Sequence, residues 1–291
     1  MNIGIYINKK KPKLKEILSI LFEEFSNNRH NLICLNEHRF MSKYINKNIF
    51  LSSKELTYDI IVSIGGDGTI LSAIRSTYKS LNPIIGIHAG KLGFLAEGDL
   101  LTCRDIFKSI KKRNYNIEPR SLLKVNISGS TESHNFICVN DLVVTRGESA
   151  RIIKTDIYEG DILINKYEGD GLIISTANGS TAYSLSAGGP IIFPNLNLLA
   201  ITPICSHSLS ARSIVVNGRS KLNIRFSDNL SKVKKLTIDG QIDLKISRDS
   251  IVKLTVAKEK IKFLLPKESN YYNKLRSKMG WYYSINNEKN T

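Results

Sequence analysis

Two kinds of hydrophobic pattern divide the chain. In the first, short unbroken runs of β-branched and aliphatic residues alternate with segments whose apolar positions recur every three or four residues. Unbroken runs mark strands covered on both faces, and the wider spacing marks helices with one buried face. Asn2 to Asn8 is then a strand, Lys13 to Phe25 a helix, Asn31 to Leu35 a strand, Ile60 to Ile64 a central strand, Thr69 to Tyr78 its helix, Pro83 to His88 a strand and Leu101 to Lys111 a helix. Residues 36–58 are polar and show no clear period. Alternating β and α units predict a parallel sheet with right-handed crossovers.

Near residue 119 the pattern changes to many short, β-branched strands: Leu122 to Ile127, Phe136 to Thr145, Ile152 to Tyr158, Asp161 to Tyr167, Gly171 to Ser175, Ile214 to Val216, Lys221 to Phe226, Leu236 to Ile238, Ile251 to Ala257 and Ile261 to Leu265. Turns such as Glu159-Gly160-Asp161 and Asn217-Gly218 separate them. One helical interruption lies near Ala182 to Ala187, and Ser269 to Met279 is helical again. The predicted fold is an α/β N-terminal domain with a Rossmann-like parallel sheet over 1–118, then an all-β, sandwich-like domain over 119–266, with a tail, 267–291, returning to the first. There is no repeat and no low-complexity linker.

The central strand carries the chemistry. Asp59 to Leu71 reads strand, glycine turn, helix, with Gly65-Gly66-Asp67-Gly68-Thr69 at the turn. Ligands of open α/β sheets bind beyond the carboxyl ends of the strands. Gly65, Gly66 and Gly68 let backbone approach a ligand, and the helix start offers N–H groups to phosphate. Asp67 would repel a bare phosphate, but it makes sense as acceptor of a hydroxyl proton or holder of a cation. Its bland role is a helix cap. The P-loop, GxGxxG, GxSxG and HExxH patterns are all missing.

A second stretch, Gly169 to Pro190, is dense in Gly, Ser, Thr and Asn around one flat ring, Tyr183. It is equipment for binding a sugar and a base. Asn140-Asp141, an adjacent amide and carboxylate, can read a base edge. Thr202 to Arg212 is a further hydroxyl-rich loop, and Asp239 and Gln241 flank a turn glycine. Asp239, His207 and His88, each taken alone, read as structural.

Composition narrows the class. With 291 residues, 42% of them hydrophobic, the chain suffices for one large domain or two ordinary ones. The net charge of +16 suits anionic partners. The lysines are scattered, however, and the runs Lys9-Lys10-Lys11 and Lys111-Lys112-Arg113 read as solvated surface, so no specific nucleic acid is expected. No apolar run approaches the ~18 residues of a membrane span, and Met1 to Ile7 begins directly as a strand, so no membrane is expected either. Cys34, Cys103, Cys138 and Cys205 lie far apart, as thiols of a reducing cytoplasm do.

In these motifs the chain resembles the NAD kinase family of the bacterial type. Ser63 to Thr69 matches the family's GGDG turn, and Gly86 to Leu95 (GIHAGKLGFL) is similar to the segment that follows. Val139 to Val143 matches its Asn-Asp/Glu pair, and Asp170 to Pro190 its long Ser/Thr/Gly motif. Thr202 to Arg212 and Asp239-Gly-Gln241 match the last two, and the tail from Leu275 to Trp281 is similar as well. GGDG alone is shared with diacylglycerol-type lipid kinases and phosphofructokinases, whereas the long motif is far more specific. Departures are His88 and Ala89 for Asn and Thr, Ala177 for Pro, Ser206 and Ala211 for Pro and Asn, and Glu168 where relatives often carry a basic residue. The last puts a phosphate-facing role at position 168 in doubt.

The resemblance implies phosphoryl transfer from ATP to the 2′-hydroxyl of the adenosine ribose of NAD, forming NADP, with a divalent metal ion (Mg²⁺ or Mn²⁺) carried on the nucleotide and no protein metal site. Asp67 would be catalytic, and Gly65, Gly66 and Gly68 would admit phosphates. Asn140 and Asp141 would hold adenosine. Thr181, Ala182, Tyr183, Ser184, Leu185 and Ser186 would line the dinucleotide site, and Gln241 would close it. Asp170 and Arg151 match NAD-contacting positions, partly across a subunit boundary, in a cytoplasmic homodimer or homotetramer. The alternatives are a lipid kinase sharing the GGDGT turn and a non-catalytic NAD-binding sensor.

Overall fold

The structure is a computed structural model that describes residues 1–25, 30–44, 49–51, 57–90, 93–129, 133–147, 152–227, 233–247 and 249–281. The chain forms two compact units. The first comprises Met1–Ala73, Asn82–Glu118 and Lys262–Thr291, the second Ile74–Leu81 and Pro119–Ile261.

In the first unit the elements are β1 (Asn2–Ile7), α1 (Leu14–Glu24), β2 (Asn31–Cys34), α2 (His38–Met41), β3 (Ile49–Leu51), β4 (Ile60–Gly65), α3 (Asp67–Thr77, its last turn counted with the second unit), β5 (Ile84–His88) and α4 (Cys103–Lys111). The strands lie parallel in the order β5-β4-β1-β2-β3. All six residues of β4 are buried, which is why its sequence shows no alternation. Ile3, Ile5, Val62, Ile64, Ile85 and Ile87 form one core with Leu14, Leu18 and Leu21 of α1 and Phe107 of α4. Arg104 ties α4 to α1 by pairing with both Glu23 and Glu24.

The second unit holds most of β6 (Tyr115–Ser128), β7 (Ser133–Cys138), β8 (Asp141–Thr145), β9 (Ile153–Glu159), β10 (Ile162–Gly169), β11 (Gly171–Thr176), α5 (Tyr183–Ser186), β12 (Leu198–Ile204), β13 (Ile214–Asn217), β14 (Leu222–Phe226), β15 (Val233–Ile238), β16 (Ile242–Ser247) and most of β17 (Ile251–Pro266). One layer is an antiparallel sheet in the order β13-β12-β11-β8-β15-β16. The other brings together β10, β9, β14 and β17 in that order, with β6 on β17 and β7 on β6. Leu123, Ile157, Leu222 and Leu254 of one layer pack with Leu142, Leu172, Ile174 and Leu236 of the other. Beyond Ile261, β17 pairs Phe263 with Ile84 of β5 in the first unit, and helix α6 (Tyr271–Met279) ends the described chain.

Several expected elements take a different form. Phe136 to Thr145 is two strands in different layers, because Val139, Asn140 and Asp141 turn their N–H groups to the Asp239 carboxylate instead of to a ladder. β17 is one strand where two were expected. Lys258, Glu259 and Lys260 are all exposed, so alternation lapses while the backbone stays extended. β12 was hidden by Pro203, which is tolerated because β13 pairs only with Leu198 to Ile201. β16, whose residues alternate in burial, lies where no strand is expected, and α2 and β3 lie in the stretch 36–58 that shows no period.

Candidate active site

Strand β4 ends at Gly65, and α3 starts two residues earlier than its periodicity indicated, so Asp67 and Gly68 lie in its first turn. The Asp67 carboxylate accepts hydrogen bonds from the backbone N–H of Phe94 (2.8 Å) and of Leu95 (3.3 Å), not from the helix it begins. Its geometry is therefore not that of a cap. Gly93 makes this possible: a Cβ there would lie 2.0–2.1 Å from the Asp67 carboxyl atoms. A segment after β5 thus holds the carboxylate from outside the helix. Lys91 and Leu92 of the same motif lie outside the described residues.

Two lysines that the sequence reading did not single out complete this turn. The Lys11 Nζ lies 3.6 Å from where a Cβ on Gly66 would sit, and the side chain is half-buried. In the run expected to be solvated, Lys9 pairs with Glu37 and Lys10 is exposed, but Lys11 turns to the glycine turn. The second is Lys278 on α6. Lys274, one helical turn earlier on the same face, donates to the carbonyls of Phe94 (3.2 Å) and Ala96 (3.1 Å) and pairs with Glu97 (2.6 Å). The segment whose amides hold Asp67 thus holds α6 through its carbonyls. Partial burial lowers the Lys278 pKa, opposed by the charge of Asp67 and assisted by that of Lys274. Nearby His88 is 5% exposed, and its pKa is lowered chiefly by burial, against the pull of Asp99 and with a push from Lys278. Its Nδ1 accepts the N–H of Gly90 at 3.3 Å.

In the second unit the other predicted residues fall into two groups. Asn140 and Asp141 stand where the chain crosses between layers, beside the turn Asn178–Thr181 and α5. Asp141 is 3% exposed, and burial, reinforced by the neighbouring Asp239 carboxylate and opposed by the Tyr183 N–H, pushes its pKa up to about 7. Tyr183 and Ser186 are exposed; Thr181, Ala182 and Leu185 are half-buried. Ser184 is turned inward, fully buried, with its hydroxyl 3.0 Å from that of Thr202. Asp239 sits in a hairpin turn with φ of +50° as a turn residue should, but its carboxylate is buried and does more: besides the three amides it pairs with Arg75 at 2.6 Å. Arg75 also donates to the Oε1 of exposed Gln241. No local signal marks Arg75, since only the fold brings it to Asp239.

Asp170 belongs elsewhere. It precedes β11 and pairs with Arg146 at 3.5 Å. The register places Gly171 opposite Thr145 and Ser175 opposite Asp141. Asp170 and Asp141 are thus at opposite ends of the β8–β11 pairing, roughly 15–20 Å apart at strand rise. Arg151 lies outside the described residues. Glu168, the residue out of pattern, pairs with Lys154 at 2.8 Å.

An α/β unit with a carboxylate at a glycine turn, followed by a β-rich unit with a stretch dense in Gly, Ser, Thr and Asn, is the arrangement expected of a nucleotide-dependent kinase. Comparison with known proteins makes this particular. Residues 4–115 match the family model described as the ATP-NAD kinase N-terminal domain, and residues 139–265 that of the ATP-NAD kinase C-terminal domain. A protein named NAD kinase from Clostridium botulinum (strain Kyoto / Type A2) is 39% identical over 282 residues, covering 96% of each chain. Another from Clostridium beijerinckii is 35% identical over 291 residues, covering 99% of this chain and 97% of its own. The fold matches that of yeast NADH kinase complexed with NADH (TM-score 0.84, 23% identity, 96% of this chain and 87% of that one). It also matches an NAD kinase from Archaeoglobus fulgidus in complex with ATP (TM-score 0.72, 22% identity, 96% and 98%). The chain belongs to the NAD kinase family: it is a phosphotransferase whose acceptor is NAD.

Proposed function

We propose that the protein transfers the terminal phosphoryl group of ATP to the 2′-hydroxyl of the adenosine ribose of NAD, with Asp67 as the group that orients and deprotonates that hydroxyl. The observation that carries the assignment is the position of Asp67. Its carboxylate is fixed by two backbone amides instead of capping α3, the Lys11 ammonium lies beside neighbouring Gly66, and the Lys278 ammonium feels the Asp67 charge. Each carboxylate oxygen keeps acceptor capacity beyond one amide bond. Phosphoryl transfer needs positioning and charge neutralisation more than covalent chemistry. Gly65, Gly66 and Gly68 admit the phosphates to the backbone, and the two lysines offset their charge. Asn140 and Asp141 hold adenosine, and Tyr183 with Thr181, Ala182, Leu185 and Ser186 lines the dinucleotide site. Ser184 fixes α5 to β12 through Thr202, and Gln241, held by Arg75, closes the site.

Among the described residues no group of three or more His, Cys, Asp or Glu could hold a metal ion. The divalent ion of this reading is one carried by the nucleotide phosphates. Bound there, Mg²⁺ or Mn²⁺ would draw negative charge from the transferring group.

Asp170 supports an oligomer. If Asp170 and Asn140 both contact the same ribose of NAD, their places at opposite ends of β11 favour two chains per site, in a homodimer or homotetramer. No described helix is long and apolar enough to cross a membrane. The free thiols of Cys34, Cys103, Cys138 and Cys205 suit a reducing cytoplasm. Full-length identity to NAD kinases disfavours both a lipid acceptor and a silent sensor. The test is direct: purified protein with NAD, ATP and Mg²⁺ generates NADP, read by an NADP-specific dehydrogenase. Absence of NADP, with label appearing in a lipid, overturns the assignment.

A further inference from the structure

Asn140 is held at almost every hydrogen-bonding atom. Its N–H donates to the Asp239 carboxylate at 2.7 Å, its carbonyl accepts the N–H of Thr176 at 2.8 Å, and its Oδ1 accepts the Nδ2 of Asn178 at 2.8 Å. Gly179 packs against it so closely that a Cβ there would stand 2.1 Å from the Asn140 carbonyl oxygen. What remains is the Nδ2 of Asn140, on a side chain that is only half-buried.

The chain of contacts continues inward. The Oδ1 of Asn178 accepts from the Nη1 of Arg120 at 2.7 Å, and both residues are 5% exposed. An isolated amide has no intrinsic orientation, since its oxygen and nitrogen ends are alike in shape. A guanidinium has five donors, no acceptor and a permanent proton. Arg120 can therefore meet only the oxygen of Asn178. That turns the Asn178 NH₂ to Asn140, which must answer with its own oxygen and send its NH₂ outward.

We propose that Arg120 and Asn178 are positioning residues that make Asn140 an obligate hydrogen-bond donor toward the adenosine of NAD. The atom Asn140 meets is then an acceptor, a ring nitrogen or a hydroxyl oxygen. Neither Arg120 nor Asn178 touches the ligand. The proposal rests on the reading of Asn140 as a nucleotide contact.

Asn178→Asp is the discriminating variant. It keeps a partner for Arg120, now as an ion pair, but the new carboxylate cannot donate to Asn140. The Asn140 amide then turns over and presents its oxygen. KM for NAD and the calorimetric Kd for NAD should both rise about ten- to a hundredfold, the cost of an unmet polar contact. The accompanying change in kcat should be smaller and the melting temperature should not fall. Arg120→Lys, which remains donor-only, should lose much less affinity than Arg120→Gln, which can present either polarity. A wild-type KM and Kd in Asn178→Asp overturns the relay while leaving the kinase assignment intact. Equal losses in Arg120→Lys and Arg120→Gln, accompanied by lowered melting temperatures, assign a merely structural role and overturn it too. A wild-type protein that neither binds nor phosphorylates NAD overturns both.

Discussion

Asp67 and Asp141 are two carboxylates with opposite environments. Asp67 keeps solvent contact, and its carboxylate is held by the backbone N–H groups of Phe94 and Leu95. An ionised carboxylate can take the 2′-hydroxyl proton, and an amide of the same shape cannot. Asp67→Asn should therefore lower kcat by ~10²–10⁴-fold with NAD affinity little changed. A stable variant with near-normal kcat would remove Asp67 from the chemistry. Asp141 is buried beside Asp239, and its pKa stands at about 7 against an ordinary 3.8. Below the lower value folded and unfolded states are both protonated, and Asp141 costs nothing. As pH rises through that window the unfolded chain ionises first, so stability falls; above about 7 the penalty is constant. Asp141→Asn should flatten this part of the stability profile. Melting curves from about pH 5 to about pH 8 check it, and an unchanged slope would refute the assignment. Both aspartates were evident in the sequence because each lies in a dense motif. Arg75, Arg120 and Lys278 were not, because each acquires its partner from a remote segment.

At the scale of elements, boundaries followed periodicity where one face is buried and failed where polar contacts took over. α1 and α4 emerged within a residue or two because their buried residues recur at helical spacing. The crossing at Val139 to Asp141 did not, since the carboxylate that bends it lies about a hundred residues away. Helix α6 shows how an element gains a function the sequence hides. Asn270 caps its start, Gly280 ends it with φ of +68°, and Lys274 docks it on the segment that holds Asp67. Lys278 is thereby fixed near the turn where the triphosphate is proposed to lie. Lys278→Met keeps the packing stem and removes the charge, so KM for ATP should rise roughly ten- to a hundredfold, the worth of a charged hydrogen bond. KM for NAD should move far less. Parallel initial-rate series in each substrate decide it; an unaffected KM for ATP leaves Lys278 as a docking residue only.

For the whole molecule, the question is how many chains make one site. Within the second unit, β11 separates Asp170 from Asn140 along its whole length, so one bound ribose cannot meet both in a single chain. The sequence showed both residues in one motif set but not that a strand holds them apart. If both residues meet the same ribose of NAD, a neighbouring chain supplies one of them, and damage to each should be separable. Asn140→Ala and Asp170→Asn should each be weak when assayed alone at NAD well below KM, because every site in either homodimer carries one defect. Mixed after reversible dissociation, half the dimers become hybrids. In each hybrid one site collects both defects and the other collects neither. For random pairing in a two-fold dimer, activity should return to about a quarter of the wild-type level. Sites built within one chain would show no recovery, since every chain remains damaged. Sedimentation of the mixture shows that subunits have exchanged, so an absence of recovery in verified hybrids would assign Asp170 and Asn140 to separate roles and remove the case for a shared site.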